Sequence, residues 1–423
     1  MGAILFCLLA VVLTAVMVEA TRRFAPIIGL VDAPTKRKSH EGDIPLVGGI
    51  AIFLGLILIL PFSGILQDHW AFLLAASVLV AVGVWDDIRE IGPTIRLAIQ
   101  SSAVLFVAVF GDAVLLDVGE VIPGAGNFNL GWMALPFTVF AGIGLINAFN
   151  MSDGVDGLCG TLVLVALGGL GVVAALGGKH NELILIALLA GALVGFLIFN
   201  MRVPGRKHAK VFLGDAGSYL LGLAVLYLVV RLSQGPDRAM APVSALWFCM
   251  LPLFDTVGMI LRRIKRGKSP FSADREHIHH VFLLAKFSVS ETWAGLTVVA
   301  LIGMGIGLFA SLTGVPELAM MATFAAAAVL YYWMIKRVWR VLRFLSRSIN
   351  RRSEEAKLDR RSGLERRQQC VDSFLRELST ERRSGVDRRN ENEDRRNAEE
   401  VAAESAALIA RQYNAEGSGN RAA

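Results

Sequence analysis

The stretch "NAFNMSDGVDGLCG", residues 147–160, sets Asn147, Asn150, Asp153 and Asp156 at steps of three just where a long apolar run ends. An ionised carboxylate at the centre of a bilayer-spanning helix costs about 3 kcal/mol on insertion scales, so acids in such company need a reason. Four more polar clusters interrupt the apolar pattern: "DAPTKRKSHEGDIPLVGG" at 32–49, "WDDIRE" at 85–90, "GRKHAKVFLGDAGS" at 205–218 and "KSPFSADREHIHH" at 268–280. The adjacent Asp86 and Asp87 repel each other, which is tolerable where a cation or a nearby base compensates. Asp87, Asn150, Asp153, Asp156 and Asp215 can all offer oxygen to magnesium, which takes one or two carboxylates and fills its octahedron with water and substrate phosphate. Manganese is the alternative ion. His40, Lys207, His208, Lys210, Arg275, His277, His279 and His280 form a basic set able to neutralise phosphate charge. Acids to hold a cation together with bases to hold phosphate is the layout of phosphoryl transfer.

The glycines agree with this chemistry. Gly214 and Gly217 flank Asp215 in "FLGDAGS" and would let backbone approach a phosphate at the start of the next span. Gly154 and Gly157 stand in the same way among the acids of the 147–160 stretch. Asn150 and Asp153 share a face if the local backbone is helical, although these glycines argue against an unbroken helix. Blander readings compete cluster by cluster. "WDDIRE" alone fits a solvated helix end. "HIHH" is a poor zinc site, with no cysteine nearby and adjacent imidazoles. "GLGVVA" at 169–174 matches a dinucleotide fingerprint by letters only, inside an apolar run where helix packing explains it. Asp255, inside another run near its end, is either a functional intramembrane acid or a snorkelling helix-end residue.

The elements that must position these residues are membrane spans. The 423 residues are 54% hydrophobic and 18% charged, with a mean hydropathy of +0.56, which excludes an ordinary soluble protein. Eleven apolar runs lie near 3–20, 46–66, 70–85, 96–112, 131–149, 158–177, 183–200, 216–233, 241–261, 290–313 and 317–339. They predict an all-α, polytopic integral membrane protein of about 10–11 transmembrane helices. Arg22 and Arg23 follow the first run and no basic residue precedes it, the pattern of an uncleaved span with its N-terminus outside. On that parity, loops on one face hold eighteen Lys and Arg residues and loops on the other face hold three, Lys179, Arg231 and Arg238. The richer face is thus expected in the cytoplasm. All five polar clusters fall at span ends on that face, as they would if they built one site.

Cys7, Cys159, Cys249 and Cys370 form no CxxC pair and predict neither a disulfide framework nor a zinc site. From 341 to 423 the chain is polar, with the related segments "DRRSGLERR" and "ERRSGVDRR". Seventeen bases against fifteen acids from Arg347 onward argue against a nucleic-acid arm. A charged cytoplasmic tail, partly helical or disordered, is the expectation, with a membrane-surface or partner-binding segment as the other reading.

Five motifs in order, "IPLVGG", "WDDIRE", "NAFNMSDGVDGL", "VFLGDAGS" and "DREHIHH", make residues 1 to about 340 resemble the polyprenyl-phosphate N-acetylhexosamine-1-phosphate transferases. The "DREHIHH" form is similar to the GlcNAc-1-phosphate branch, whereas the branch that makes lipid I, the phospho-N-acetylmuramoyl-pentapeptide transferases, tends to show three consecutive histidines. The resemblance implies a membrane-embedded transferase domain over 1–340 that passes a sugar phosphate from a UDP-N-acetylhexosamine to undecaprenyl phosphate at the bacterial inner membrane. It implies Asn150 and Asp215 as magnesium ligands, and Asp86 and Asp87 as the pair that orients or deprotonates the lipid phosphate. Asp153 and Asp156 would contact the nucleotide sugar, and His277, His279 and His280 the diphosphate. His40, Asn147, Lys207, Lys210 and Arg275 complete the expected substrate-binding set. Two positions depart from the pattern: Glu90 stands where a third aspartate is common, and His40 where the lipid I branch has lysine. Homodimerisation is left open. A cation-coupled transporter is the competing class, but transporters place such acids near the midplane and show internal repeats among their spans. A scaffold whose tail does the work is the third reading.

Overall fold

In the computed structural model, residues 2–32, 42–203, 205, 206, 208–267, 269 and 277–338 are described. His40, Lys207, Arg275 and the tail lie outside them. The helices are α1 (Gly2–Phe24), α2 (Gly48–Ile59), α3 (Leu66–Ile88), α4 (Pro93–Phe110), α5 (Ala134–Met151), α6 (Leu158–Leu176), α7 (His180–Asn200), α8 (Gly214–Ser233), α9 (Pro242–Phe248), α10 (Met250–Lys265), α11 (Ile278–Leu284), α12 (Val289–Thr313) and α13 (Glu317–Val338). Among the described residues nine helices are long and apolar enough to cross a membrane, and α9 with α10 makes a tenth if that pair counts as one span. The chain is an all-α polytopic membrane protein.

Every apolar run corresponds to a helix or a helix pair, but two are not plain spans. The run at 46–66 forms only the 12 residues of α2 and a 3-10 turn, Leu60–Phe62. Its own glycines and Pro61 explain the early stop. The run at 241–261 is broken at Cys249, and α9 and α10 meet there at 82°. A two-residue antiparallel ladder, β1 (Val31–Asp32) with β2 (Ile44–Pro45), was not in the sequence expectation.

Local signals set several helix starts. α4 begins with Pro93 behind Gly92, where the missing N–H costs nothing. Ser288 and Glu291 form a capping box on α12: the Ser288 hydroxyl accepts from Glu291 N, and the Glu291 carboxylate accepts from Ser288 N.

Helix α8 is the axis of the bundle. Its apolar window is 94% buried, against 17% for α1 and 11% for α13, which therefore lie at the lipid-facing rim. α3, α5, α2 and α6 all pack on α8. Such closeness between membrane helices needs small residues at the contact. Gly83 of α3 and Gly49 of α2 both face the start of α8, and a Cβ on either would collide with backbone of Ala216 or Gly217. At the other ends of α7 and α8, Glu182 and Arg231 pair at 2.8 Å beside a smaller cavity of about 600 Å³.

This packing predicts opposite outcomes for one substitution at two glycines. Gly83→Ala should lower the thermal unfolding temperature in detergent, by an overpacking cost of about 1–3 kcal/mol. Gly144→Ala, where nothing lies within 4 Å of the added carbon, should be neutral or stabilising by up to about 1 kcal/mol. A thermal melt of both variants against wild type reads the difference.

Candidate active site

Residues from all five polar clusters border one cavity of about 1300 Å³. Asp32 and Ile44 come from the first, Asp86, Asp87 and Glu90 from the second, and Asn150, Asp153 and Asp156 from the third. His208, Gly214 and Asp215 come from the fourth, and His280 from the fifth. The contributing elements reach it with their ends: the C-termini of α3, α5 and α7, the N-terminus of α8, and the short α11.

The centre is a contact between α3 and α8. Asp87 Oδ1 accepts from the backbone N of Asp215 at 3.0 Å, and Oδ2 lies 3.5 Å from the N of Ala216. Asp87 thus caps the start of α8 from a neighbouring helix, where orphan N–H groups and the helix dipole favour negative charge. Gly214 is required twice over: its φ is +72°, and a Cβ would sit 2.5 Å from Asp87 Oδ2. The Asp215 carboxylate itself accepts from Asn150 Nδ2 at 2.6 Å, and the same amide nitrogen donates to Ser218 Oγ at 2.9 Å.

Asp86, next in sequence, faces a different set of partners. It is 5% exposed and accepts from Ile91 N at 2.9 Å, Arg96 Nη1 at 3.1 Å and Tyr219 OH at 2.8 Å. Its charge is matched inside the protein. Among the described residues no ion pair reaches Asp87, Asp153 or Asp215. Burial, followed by the charges of Asp215, Asp87 and Asp156, holds the Asp153 carboxyl well above the usual carboxylate range.

That donor set fits a hard divalent cation: carboxylate oxygens crowded together, with repulsion a cation would relieve. No three Asp, Glu, His or Cys side chains among the described residues close a ligand shell by themselves, so substrate or water oxygen would have to supply the remaining ligands. Asn150 turns its amide nitrogen to Asp215 and Ser218.

The loop between α5 and α6 is tied on both sides. Asp156 pairs with Arg202 at 2.7 Å. Gly157, at φ +78°, donates its N–H to Asn200 Oδ1 at 2.7 Å, while Asn200 Nδ2 donates to Val211 O at 2.8 Å. One buried asparagine therefore joins the acidic loop to the loop that carries His208.

Four expected residues sit otherwise, among them His277, which is bonded to Asp255 at 2.9 Å and does not border the cavity. Asn147 donates to Gln100 Oε1 and Ile143 O, both at 2.8 Å, and does not border the cavity. Lys210 is exposed and anchored through its backbone N to Phe199 O at 2.9 Å. His279 is 2% exposed, and burial with the neighbouring His280 and His277 pushes it down to about 3. It is neutral at physiological pH and adds no positive charge for phosphate. Conversely, Arg96, Arg202, Asn200 and Tyr219 hold the site together without having been picked out as site residues. Arg96 closely follows the acidic "WDDIRE" stretch, which is the available signal for it, whereas Arg202 stands just before a basic stretch and carries no such signal.

A family model described as glycosyl transferase family 4 matches residues 69–233, the segment that holds Asp86, Asp87, Asn150, Asp153, Asp156 and Asp215. The undecaprenyl-phosphate alpha-N-acetylglucosaminyl 1-phosphate transferase of Escherichia coli (strain K12) is 37% identical over 336 residues, 79% of this chain and 91% of that protein. The protein of that name from Yersinia pestis is 37% identical over 328 residues, 77% and 89% of the two chains. That from Haemophilus influenzae is 35% identical over 337 residues, 79% and 94%. The chain belongs to glycosyl transferase family 4.

For this family member, the Asp86–Arg96 pair offers a direct test of the site's internal balance. Arg96→Gln leaves Asp86 buried without a counter-charge, and is expected to destabilise the protein by about 3 kcal/mol, read as a lowered thermal unfolding temperature in detergent.

Proposed function

We propose that this chain transfers N-acetylglucosamine 1-phosphate from UDP-N-acetylglucosamine to undecaprenyl phosphate, releasing UMP, at the cytoplasmic face of a bacterial inner membrane. The observation that carries the reading is the convergence of Asp87, Asn150, Asp153, Asp156 and Asp215 at the ends of spanning helices around one cavity. The printed names of relatives at 35–37% identity support the acceptor and the sugar. The surplus of basic residues on the same face, eighteen against three, supports the cytoplasmic orientation.

In the reaction, an oxygen of the lipid phosphate attacks the sugar-side phosphorus of the donor. The bond to the bridging oxygen breaks, and UMP leaves with that oxygen. The second pKa of a phosphate monoester is about 6, so the acceptor needs little help to lose its proton and positioning is the larger contribution. Asp87, fixed by the start of α8, and Asp215, fixed by Asn150, would hold magnesium, which supplies neutralisation of the diphosphate charge. Asp86 keeps Arg96 at the rim of the cavity, where a guanidinium can face phosphate oxygen. Asp156 does the same for Arg202. His280 and His208 complete the polar wall.

The test is turnover by detergent-purified protein with undecaprenyl phosphate and UDP-GlcNAc, UDP-GalNAc or UDP-MurNAc-pentapeptide, with magnesium or with EDTA. UMP and a sugar-diphospholipid should appear together with UDP-GlcNAc and magnesium and vanish with EDTA. Asp215→Ala and Asp87→Asn should each lower turnover by at least about 100-fold. Preference for UDP-MurNAc-pentapeptide would move the protein to the lipid I reaction, and wild-type turnover by both variants would dismiss this site.

A pH series adds an independent check. Asp153 feels the charges of Asp215 and Asp87, the residues that would hold the cation, so cation binding and loss of the Asp153 proton favour each other and apparent magnesium affinity should rise with pH. The acceptor phosphate titrates too, and Asp153→Asn separates the two: the magnesium dependence should flatten with pH in the variant while the acceptor's own effect remains.

A further inference from the structure

Asp255 is used by none of the chemistry above, yet it is 3% exposed on α10 and fully engaged. Its Oδ2 meets His277 Nδ1 at 2.9 Å. Its Oδ1 accepts from the backbone N of Ile278 at 3.0 Å and from the Tyr331 hydroxyl, on α13, at 3.0 Å. A snorkelling helix-end residue would not be buried with three donors on it. An ionised carboxylate only accepts, so the His277 proton is on Nδ1. The ring so fixed lies parallel to that of His279, with centroids 5.6 Å apart and planes within 1°. His279 in turn is 4.3 Å from the ring of His280, which borders the cavity. On its other side His279 packs on Gly154, where any Cβ would collide with the imidazole.

We propose that Asp255 is the positioning residue of the histidine segment, and that His277 is a strut between it and the cavity rather than a group that touches substrate. Helix α11 has seven residues, too few to persist alone. Asp255 caps its first amide from another helix and sets the tautomer of the residue before it. The same carboxylate ties that segment to α13. What reaches the cavity is His280, at a height and angle set by the two rings stacked behind it. The catalytic consequence rests on the transferase reading; the tautomer and the anchoring do not.

Paired substitutions at His277 separate a strut from a ligand. Asparagine places an amide N–H near the position of Nδ1 and so keeps the bond to Asp255, whereas glutamine places it near Nε2. His277→Asn should turn over at least about tenfold faster than His277→Gln, and Asp255→Asn should lose about 10- to 100-fold in kcat with KM for UDP-GlcNAc changed less than about threefold. The double variant Asp255→Asn with His277→Gln should be no worse than the poorer single variant, because both break one contact. The reverse order at His277, or wild-type kcat in Asp255→Asn, overturns the proposal. If Asp255→Asn does not yield folded protein, the two His277 variants decide it alone. Nitrogen-15 spectra of histidine-labelled wild-type protein read the tautomer without turnover: Nδ1 protonation of His277 supports the proposal and Nε2 protonation sinks it. Absence of wild-type turnover would refute the transferase reading while leaving that spectroscopic result to stand for the anchoring.

Discussion

Carboxylates gathered at a helix start must be held against their own repulsion, and the first turn of α8 is where this protein does so. The N–H groups of Asp215 and Ala216 face Asp87, so the end of α3 has to lie directly against α8. That contact is open only because Gly83 presents no side chain to Ala216 and Gly214 presents none to Asp87. Ser218, one turn on, shares with Asp215 the amide of Asn150, and this brings the end of α5 to the same place. Five residues of one helix thus set the spacing of three spans and the position of two carboxylates. Packing and chemistry are here the same set of atoms.

Adjacent aspartates in a helix point about 100° apart, and the structure divides Asp86 from Asp87 accordingly. Asp86 turns to Arg96 and Tyr219, a closed arrangement in which each charged partner has a hydrogen bond. Asp87 turns to backbone donors, which bind a carboxylate without cancelling its charge. The Asp86 charge is met by a guanidinium that also borders the cavity, while Asp87 is held by amides of the α8 start. The two members of the sequence motif thus border one cavity with different partners.

The spans were legible because apolar runs of bilayer length have few other uses, and the site was legible because polar clusters at the ends of such runs cost too much to be incidental. Reading went wrong where the outcome depends on tertiary partners. Nothing in "PTIRLAIQ" distinguishes Arg96 from a solvated loop charge until Asp86 and Tyr219 are placed beside it. Asn200 looks like the polar end of an apolar helix, yet it joins the loop of Gly157 to the loop of Val211. Three histidines of one type in one motif prove to be unlike: His277 is bonded to Asp255, His279 is buried and neutral, and His280 borders the cavity. The bend at Cys249 was invisible because hydropathy continues across it. The short α2 could have been foreseen, since Gly48, Gly49 and Pro61 bracket it.

The position of the cavity at helix ends follows from the solubility of the two substrates in the transferase reading. A nucleotide sugar cannot enter the hydrocarbon layer, and a polyprenyl phosphate cannot leave it. Their phosphates meet only at the interface, which is where helices of about 20 residues terminate. Asp87, Asn150 and Asp215 therefore have to be terminal residues of their helices, and each is within four residues of its helix end. Leu283, Leu284 and Val289 of the α11 to α12 segment line the same cavity as the carboxylates. Apolar residues lining a cavity that also holds acids suit, in that reading, an acceptor whose headgroup must reach the acids while its chain stays in lipid. Helix α11, held through Asp255, then does two things at once: it brings His280 to the cavity and contributes Leu283 and Leu284 to its lining, so the anchor of one short helix bears on both the polar and the apolar parts of that lining.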